Sequence, residues 1–104
     1  MKLLSSHDEI LMLVILGLKD NAYGMTIRRE VSRATGKNWS IGAIYDPLYR
    51  LEQREMVESF LSEPTGERGG RSKRIFRVTQ KGLGMLQKQK SVRDSLWDHV
   101  KAET

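Results

Sequence analysis

Apolar positions along the chain mark four helices and two short strands. Positions 10–18 are apolar apart from Gly17, so the first helix, expected over 7–19, is buried on most sides. Ser6 serves as its N-cap, with Glu9 three residues on in a capping-box pattern. Asp20-Asn21 and Tyr23-Gly24 read as a turn. A second helix over 25–35 carries Ile27, Val31 and Ala34 on one face, with Arg28, Arg29 and Arg33 largely off it. Gly36 suits the position just past its end.

Ser40 is the next N-cap, and Ile41, Ile44, Leu48 and Leu51 follow at helical spacing, giving a third helix over 41–54. Those four define its buried side. Gly42, Asp46, Tyr49 and Gln53 point away, flanked by Tyr45 and Arg50. Pro47 removes a helical hydrogen bond and clashes with the preceding turn. The helix should kink there, or restart with Asp46 as cap and Pro47 at its first position. Loose alternation over 56–62 and 74–78 reads as two strands, with Phe76 and Val78 on one face, around a glycine-rich basic loop at 64–71. Thr79 caps a last helix over 80–100, whose apolar positions are Leu83, Leu86, Val92, Leu96, Trp97 and Val100. Its middle, 87–91, is wholly polar. The fold class is therefore mostly α with a small β-hairpin (α+β). Three helices and a hairpin over 1–79 form a winged helix-turn-helix, and 80–104 adds a helix that dimerises within the same compact domain.

Charge sharpens this picture. Residues 1–67 carry eight basic and ten acidic side chains, whereas 68–104 carry ten and three, within a net charge of +5. From Arg68 to Arg93 there are nine basic residues and no acidic one, which favours a polyanionic partner, double-stranded DNA first and an anionic membrane surface second. The first apolar run is too short to span a bilayer, and its flanks do not resemble a secretory signal. A buried core helix is the simpler reading. The absence of cysteine removes disulfides, thiolate metal sites and cysteine nucleophiles, and fits a reducing cytoplasm. No cofactor or metal site is expected. His7 and His99 stand at opposite ends of the chain without a nucleophile nearby, which argues against an enzyme. The loop glycines are not followed by the Lys-Ser/Thr of a phosphate-binding loop.

Ser40-Ile41-Gly42-Ala43-Ile44-Tyr45, followed by Leu48-Tyr49-Arg50-Leu51-Glu52, resembles the recognition-helix signature of the PadR family of transcriptional regulators. Tyr23-Gly24 resembles that family's start of helix two. Gly69-Gly70-Arg71-Ser72-Lys73-Arg74-Ile75-Phe76-Arg77-Val78-Thr79, closed by Lys81-Gly82, resembles its wing. The resemblance covers roughly 8–86 and is closest to the short branch with a single C-terminal helix. Two positions depart from the pattern: Asp46 intervenes between Tyr45 and Pro47, and Glu55 stands where a glycine usually ends the recognition helix.

The resemblance implies a homodimeric, sequence-specific DNA-binding regulator, usually a repressor, on a pseudo-palindromic operator. It places Tyr45 and Tyr49 against DNA from the third helix; semi-buried packing is an equal alternative for Tyr45. Ser40 would present its hydroxyl and amide to a phosphate at the helix N-terminus. Arg50 reaches phosphate or base, and Arg68, Arg71, Lys73 and Arg74 are the wing cations, roughly half of which should touch DNA. The amphipathic last helix needs a partner for its apolar surface. Val92, Leu96, Trp97 and Val100 are expected to dimerise against Leu4, Leu11 or Ile15 of another subunit. The resemblance also suggests a planar aromatic effector beside Trp97, although a plain interface anchor accounts for that residue more simply. The alternative to a DNA-binding regulator is a winged-helix module that binds protein.

Overall fold

The computed structural model describes residues 2–64 and 72–103. Three helices come first: α1 (Ser6–Leu18), α2 (Gly24–Thr35) and α3 (Ile41–Gln53), with a single 3-10 turn at Lys19–Asn21 between α1 and α2. Strands β1 (Val57–Leu61) and β2 (Arg74–Val78) follow, and α4 (Gln80–Glu103) closes the chain. Ser5, rather than Ser6, caps α1: its Oγ accepts from the Asp8 amide at 3.1 Å. Starting one residue early moves Glu9 beyond capping reach. Its carboxylate instead accepts from Gln89 Nε2 at 2.7 Å and faces Arg93 at 3.4 Å.

The Thr26 hydroxyl accepts from the Tyr23 amide at 3.0 Å, satisfying a donor at the start of α2, and reaches back to the Asn21 carbonyl at 2.6 Å. Gly36, at φ 71°, ends α2 in the left-handed conformation that only glycine adopts without cost. Helix α3 runs unbroken through Pro47, so the expected restart at Asp46 does not occur. Pro47 is instead buried with Ile44, Leu48 and Leu51, and that apolar burial offsets the lost backbone hydrogen bond.

At the end of α3, the Met56 amide donates to the Leu51 carbonyl at 2.9 Å and the Glu55 amide to that of Glu52 at 3.0 Å. Leu51 and Met56 are both buried. This is a Schellman ending, and it forces Glu55 to φ 60°.

The strands pair antiparallel, with Val57 opposite Val78 and Ser59 opposite Phe76. β2 is bonded on its other edge as well. The Phe76 amide donates to the Ala22 carbonyl at 2.8 Å, and Tyr23 bridges to Ile75, so the turn before α2 supplies the stub of a third strand. Phe76 and Val78 share a face as expected, yet Ile75, on the other face and bridged to Tyr23, is buried along with Phe76 while Arg77 beyond it is exposed.

Leu11, Met12, Ile15, Ile27, Ile44, Leu48 and Phe76 are fully enclosed at the centre of the core. Helix α4 enters this core only with its first three turns. Thr79 Oγ1 accepts from the Gly82 amide at 3.0 Å, and α4 passes so close to the Met56 carbonyl that a Cβ on Gly82 would lie 2.2 Å from it. Within the polar stretch 87–91, Gln89 is almost wholly buried: its amide accepts from the Leu4 N–H at 2.7 Å and donates to the Leu4 carbonyl at 3.2 Å. Every residue from 91 to 101 is exposed. The molecule is accordingly elongated, 58 × 28 × 21 Å. Among the described residues, no helix is long and apolar enough to cross a membrane.

A side chain at positive φ costs about 1 kcal/mol or more. Glu55→Gly should therefore stabilise the protein by roughly 0.5–1 kcal/mol in urea unfolding, after allowing for the greater freedom of glycine in the unfolded chain. A loss of stability would mean that the Glu55 side chain makes a compensating contact.

Candidate nucleic-acid interface

Ser40 begins α3, its Oγ accepting from the Ala43 amide at 3.1 Å. Beyond this cap, Gly42, Asp46, Tyr49 and Gln53 form the solvent-facing strip, as their spacing predicts. Ile41 departs from expectation. Its helical spacing groups it with the buried set, but it is 59% exposed, while Ile44, Leu48 and Leu51 are at most 1% exposed. The first residue of α3 lies ahead of the core that its later turns cover.

Tyr45 is half-buried and lies flat across Gly24 at the start of α2. A Cβ on Gly24 would fall 1.8 Å from the tyrosine hydroxyl oxygen and 2.5 Å from Cζ. Tyr49 is exposed and stacks on Tyr45 with ring centroids 5.9 Å apart. Tyr45 therefore has a structural duty, and Tyr49 carries the aromatic edge outward.

The link between α2 and α3 is held by Trp39. Its Nε1 donates to Thr35 Oγ1 at 2.9 Å, and its carbonyl accepts from Arg28 Nε at 2.7 Å. Its ring packs 4.3 Å from that of His7, which is half-buried, with Nε2 enclosed and, among the described residues, without a hydrogen-bond partner. Neither Trp39 nor His7 is distinguished by sequence spacing, because the loop that brings them together carries no periodic signal.

On the wing, Lys73, just ahead of β2, and Arg74, its first residue, are both exposed. Lys73 Nζ sits 4.3 Å over the Tyr23 ring, beside the start of α2. Arg74 Nη1 donates to Ser59 Oγ at 3.0 Å, and Ser59 in turn donates to Glu52 of α3 at 2.5 Å. Arg68 and Arg71 lie outside the described residues. Arg50 is exposed but is not grouped with the tyrosines: it lines a cleft with Leu3, Ser5 and Asp8 on the opposite flank of α3. Arg33 is engaged by Glu30, donating through Nε at 3.0 Å. That hydrogen bond holds the Glu30 carboxyl below its usual range and raises the Arg33 guanidinium.

Leu4, Leu11 and Ile15, expected to receive a partner's last helix, are instead 4%, 0% and 2% exposed inside this protomer's own core. They offer no surface to a second copy. The exposed apolar side chains of this region are Leu3, Leu13 and Leu16, the outward positions of the same stretch. Val92, Leu96, Trp97 and Val100 are 41–63% exposed.

Three helices, with the third presented beside a two-stranded wing, define a winged helix-turn-helix protein. The sequence pattern of the PadR-like transcriptional regulator family matches residues 12–88, and the chain belongs to that family. Its structure resembles a PadR family transcription regulator from hypervirulent Clostridium difficile at 27% identity and TM-score 0.64, over 93% of each chain. It also resembles a transcriptional regulator from Clostridium thermocellum at 22% identity and TM-score 0.68, over 97% of each chain. A PadR-like transcriptional regulator from Bacillus cereus matches at 21% identity and TM-score 0.71, over 92% of this chain and 87% of that one. No curated protein sequence matches the chain.

The contact between Gly24 and Tyr45 sets how α2 meets α3. Gly24→Ala should destabilise the protein by about 1–3 kcal/mol, because the added methyl must displace the ring or the backbone. In a double-mutant cycle, Tyr45→Ala should cost less on the Gly24→Ala background than on the wild type. Strict additivity would show that the two residues are not in contact.

Proposed function

We propose that this regulator binds double-stranded DNA as a homodimer, with the first half of α3 in the major groove and the wing against the flanking backbone. The observation that carries this reading is the exposed face on which Ser40, Asp46 and Tyr49 stand on α3, with Lys73 and Arg74 presented by the adjoining wing. Cations there serve phosphates, while the strip on α3 offers hydroxyl and carboxylate groups to base edges. Arg68 and Arg71 extend the basic segment in sequence. Arg50, on the other flank, reaches only a backbone to that side.

The C-terminal segment 80–104 is the dimerisation element. At 100° per residue, the side of α4 that buries Gly82, Leu86 and Gln89 continues outward as Val92, Leu96 and Val100, with Trp97 at its margin. An apolar stripe that outruns its own core suits a second copy, against which Leu3, Leu13 and Leu16 are the available apolar partners. Repression, with release by a planar aromatic effector at Trp97, is the mode of action this arrangement would serve.

The test is a titration of duplex DNA carrying the gene's own upstream region, at about 50 and 200 mM salt, against excess random DNA. Binding that resists competition and falls by about 10³-fold between those salts is expected for roughly six phosphate contacts. Lys73→Ala or Arg74→Ala should weaken binding uniformly across sequences and reduce the salt slope by about one each. Salt-insensitive capture of a protein with no DNA binding would replace this reading with that of a protein-interaction module. In sedimentation, Leu96→Glu should keep the protomer folded, since Leu96 is exposed there, and weaken dimerisation by about 10²-fold or more. An unchanged dimer would place the interface elsewhere.

A further inference from the structure

Two large apolar side chains stand exposed around Tyr45, beside the α3 strip assigned above to DNA: Ile41 at 59% and Met25 at 63%. They come from different helices, the first residue of α3 and the second of α2, yet line one recess of about 180 Å³. Ile44 and Gly24 contribute to its lining, and Tyr45 and Arg28 complete it. The Tyr45 ring is fixed against Gly24, and Arg28 is held by its bond to the Trp39 carbonyl. The recess is therefore preformed, apolar, and has a cation in its lining.

Among the groups that base pairs present in the major groove, only the C5-methyl of thymine is apolar. An isoleucine at the amino end of α3 and a methionine at the start of α2 cannot satisfy a donor or acceptor and would leave one desolvated and unpaired. They can cover a methyl. We infer that Ile41 and Met25 form a thymine-reading site, in which the C5-methyl of an operator thymine enters the recess between α2 and α3 while Arg28 faces the adjacent phosphate. The inference rests on the DNA-binding reading and deepens it. It assigns base selectivity to two residues without hydrogen-bonding groups, and it adds the start of α2 to the surface that reads sequence.

The test uses a duplex recovered by selection from a random-sequence pool, and the same duplex with uracil in place of each half-site thymine in turn, which removes only the methyl. Burial of one methyl corresponds to about a fourfold change in affinity. One uracil position per half-site should weaken wild-type binding by about that factor. Ile41→Ala should bind the thymine duplex several-fold more weakly and be indifferent to uracil at that position. Because Ile41 is exposed, the variant should keep its circular dichroism spectrum and unfolding midpoint. Equal wild-type binding to thymine and uracil duplexes overturns the inference while leaving DNA binding intact. So does an Ile41→Ala variant that retains the full uracil effect. Failure to recover any competition-resistant duplex overturns the DNA-binding reading and this inference together.

Discussion

The domain is organised around β2, and above all around Phe76. Its side chain is fully buried among the helices, while its backbone amide donates to the Ala22 carbonyl at the opposite strand edge from β1. A strand bonded on both edges cannot slide freely: a shift of one residue would take Phe76 out of its enclosed position and bring Ile75 or the exposed Arg77 into it. The helices inherit their positions from this anchor. The turn before α2 is stitched to β2 through Ala22 and Tyr23, and β1 leads back through the Schellman ending to α3. The wing is thus the outer end of the element that fixes the core, which keeps Lys73 and Arg74 in register with α3.

The close approach of α2 and α3 is a second constraint. Gly24 gives up a side chain so that Tyr45 can lie across it, and Tyr45 in turn backs Tyr49. Trp39 braces the connection from the other side through Thr35, Arg28 and His7. Between these supports the amino end of α3 is braced but uncovered, and groups already held in place lose little freedom when a partner binds. Glu55 shows that the sequence can depart from the usual residue at a structural position and still keep its backbone geometry.

Much of this architecture is legible in the sequence because periodicity and capping residues are local signals. Ser40, Gly36 and Thr79 mark the helix ends that they predict, and the register of Ile44, Leu48 and Leu51 identifies the buried side of α3. What local pattern does not supply is where an element leaves the core. Ile41 shares the helical spacing of its neighbours but stands one turn too early to be covered. Gln89 lies in a wholly polar stretch, yet is buried because its amide can pair both backbone groups of Leu4, some 85 residues away. Leu11 and Ile15 are apolar enough for an interface, but the protomer uses them itself. Pro47 reads as a breaker, and only its enclosure in the core accounts for its place inside α3. The stub of strand at Ala22 and Tyr23 is too short to carry any alternation.

The buried amide of Gln89 also fixes where α4 becomes independent of the domain. Up to that residue the helix is clamped, and beyond it the helix is a rigid rod advancing about 1.5 Å and turning about 100° per residue. Whatever surface meets Leu96 and Trp97 is therefore held at a set reach and a set rotational phase relative to the wing and α3. One residue added or removed between Gln89 and Val92 would leave both the domain and the apolar stripe intact while turning one against the other by more than a quarter of a circle. In the proposed dimer, the spacing of the two domains would be written into the length of this one helix, a ruler as well as a seam.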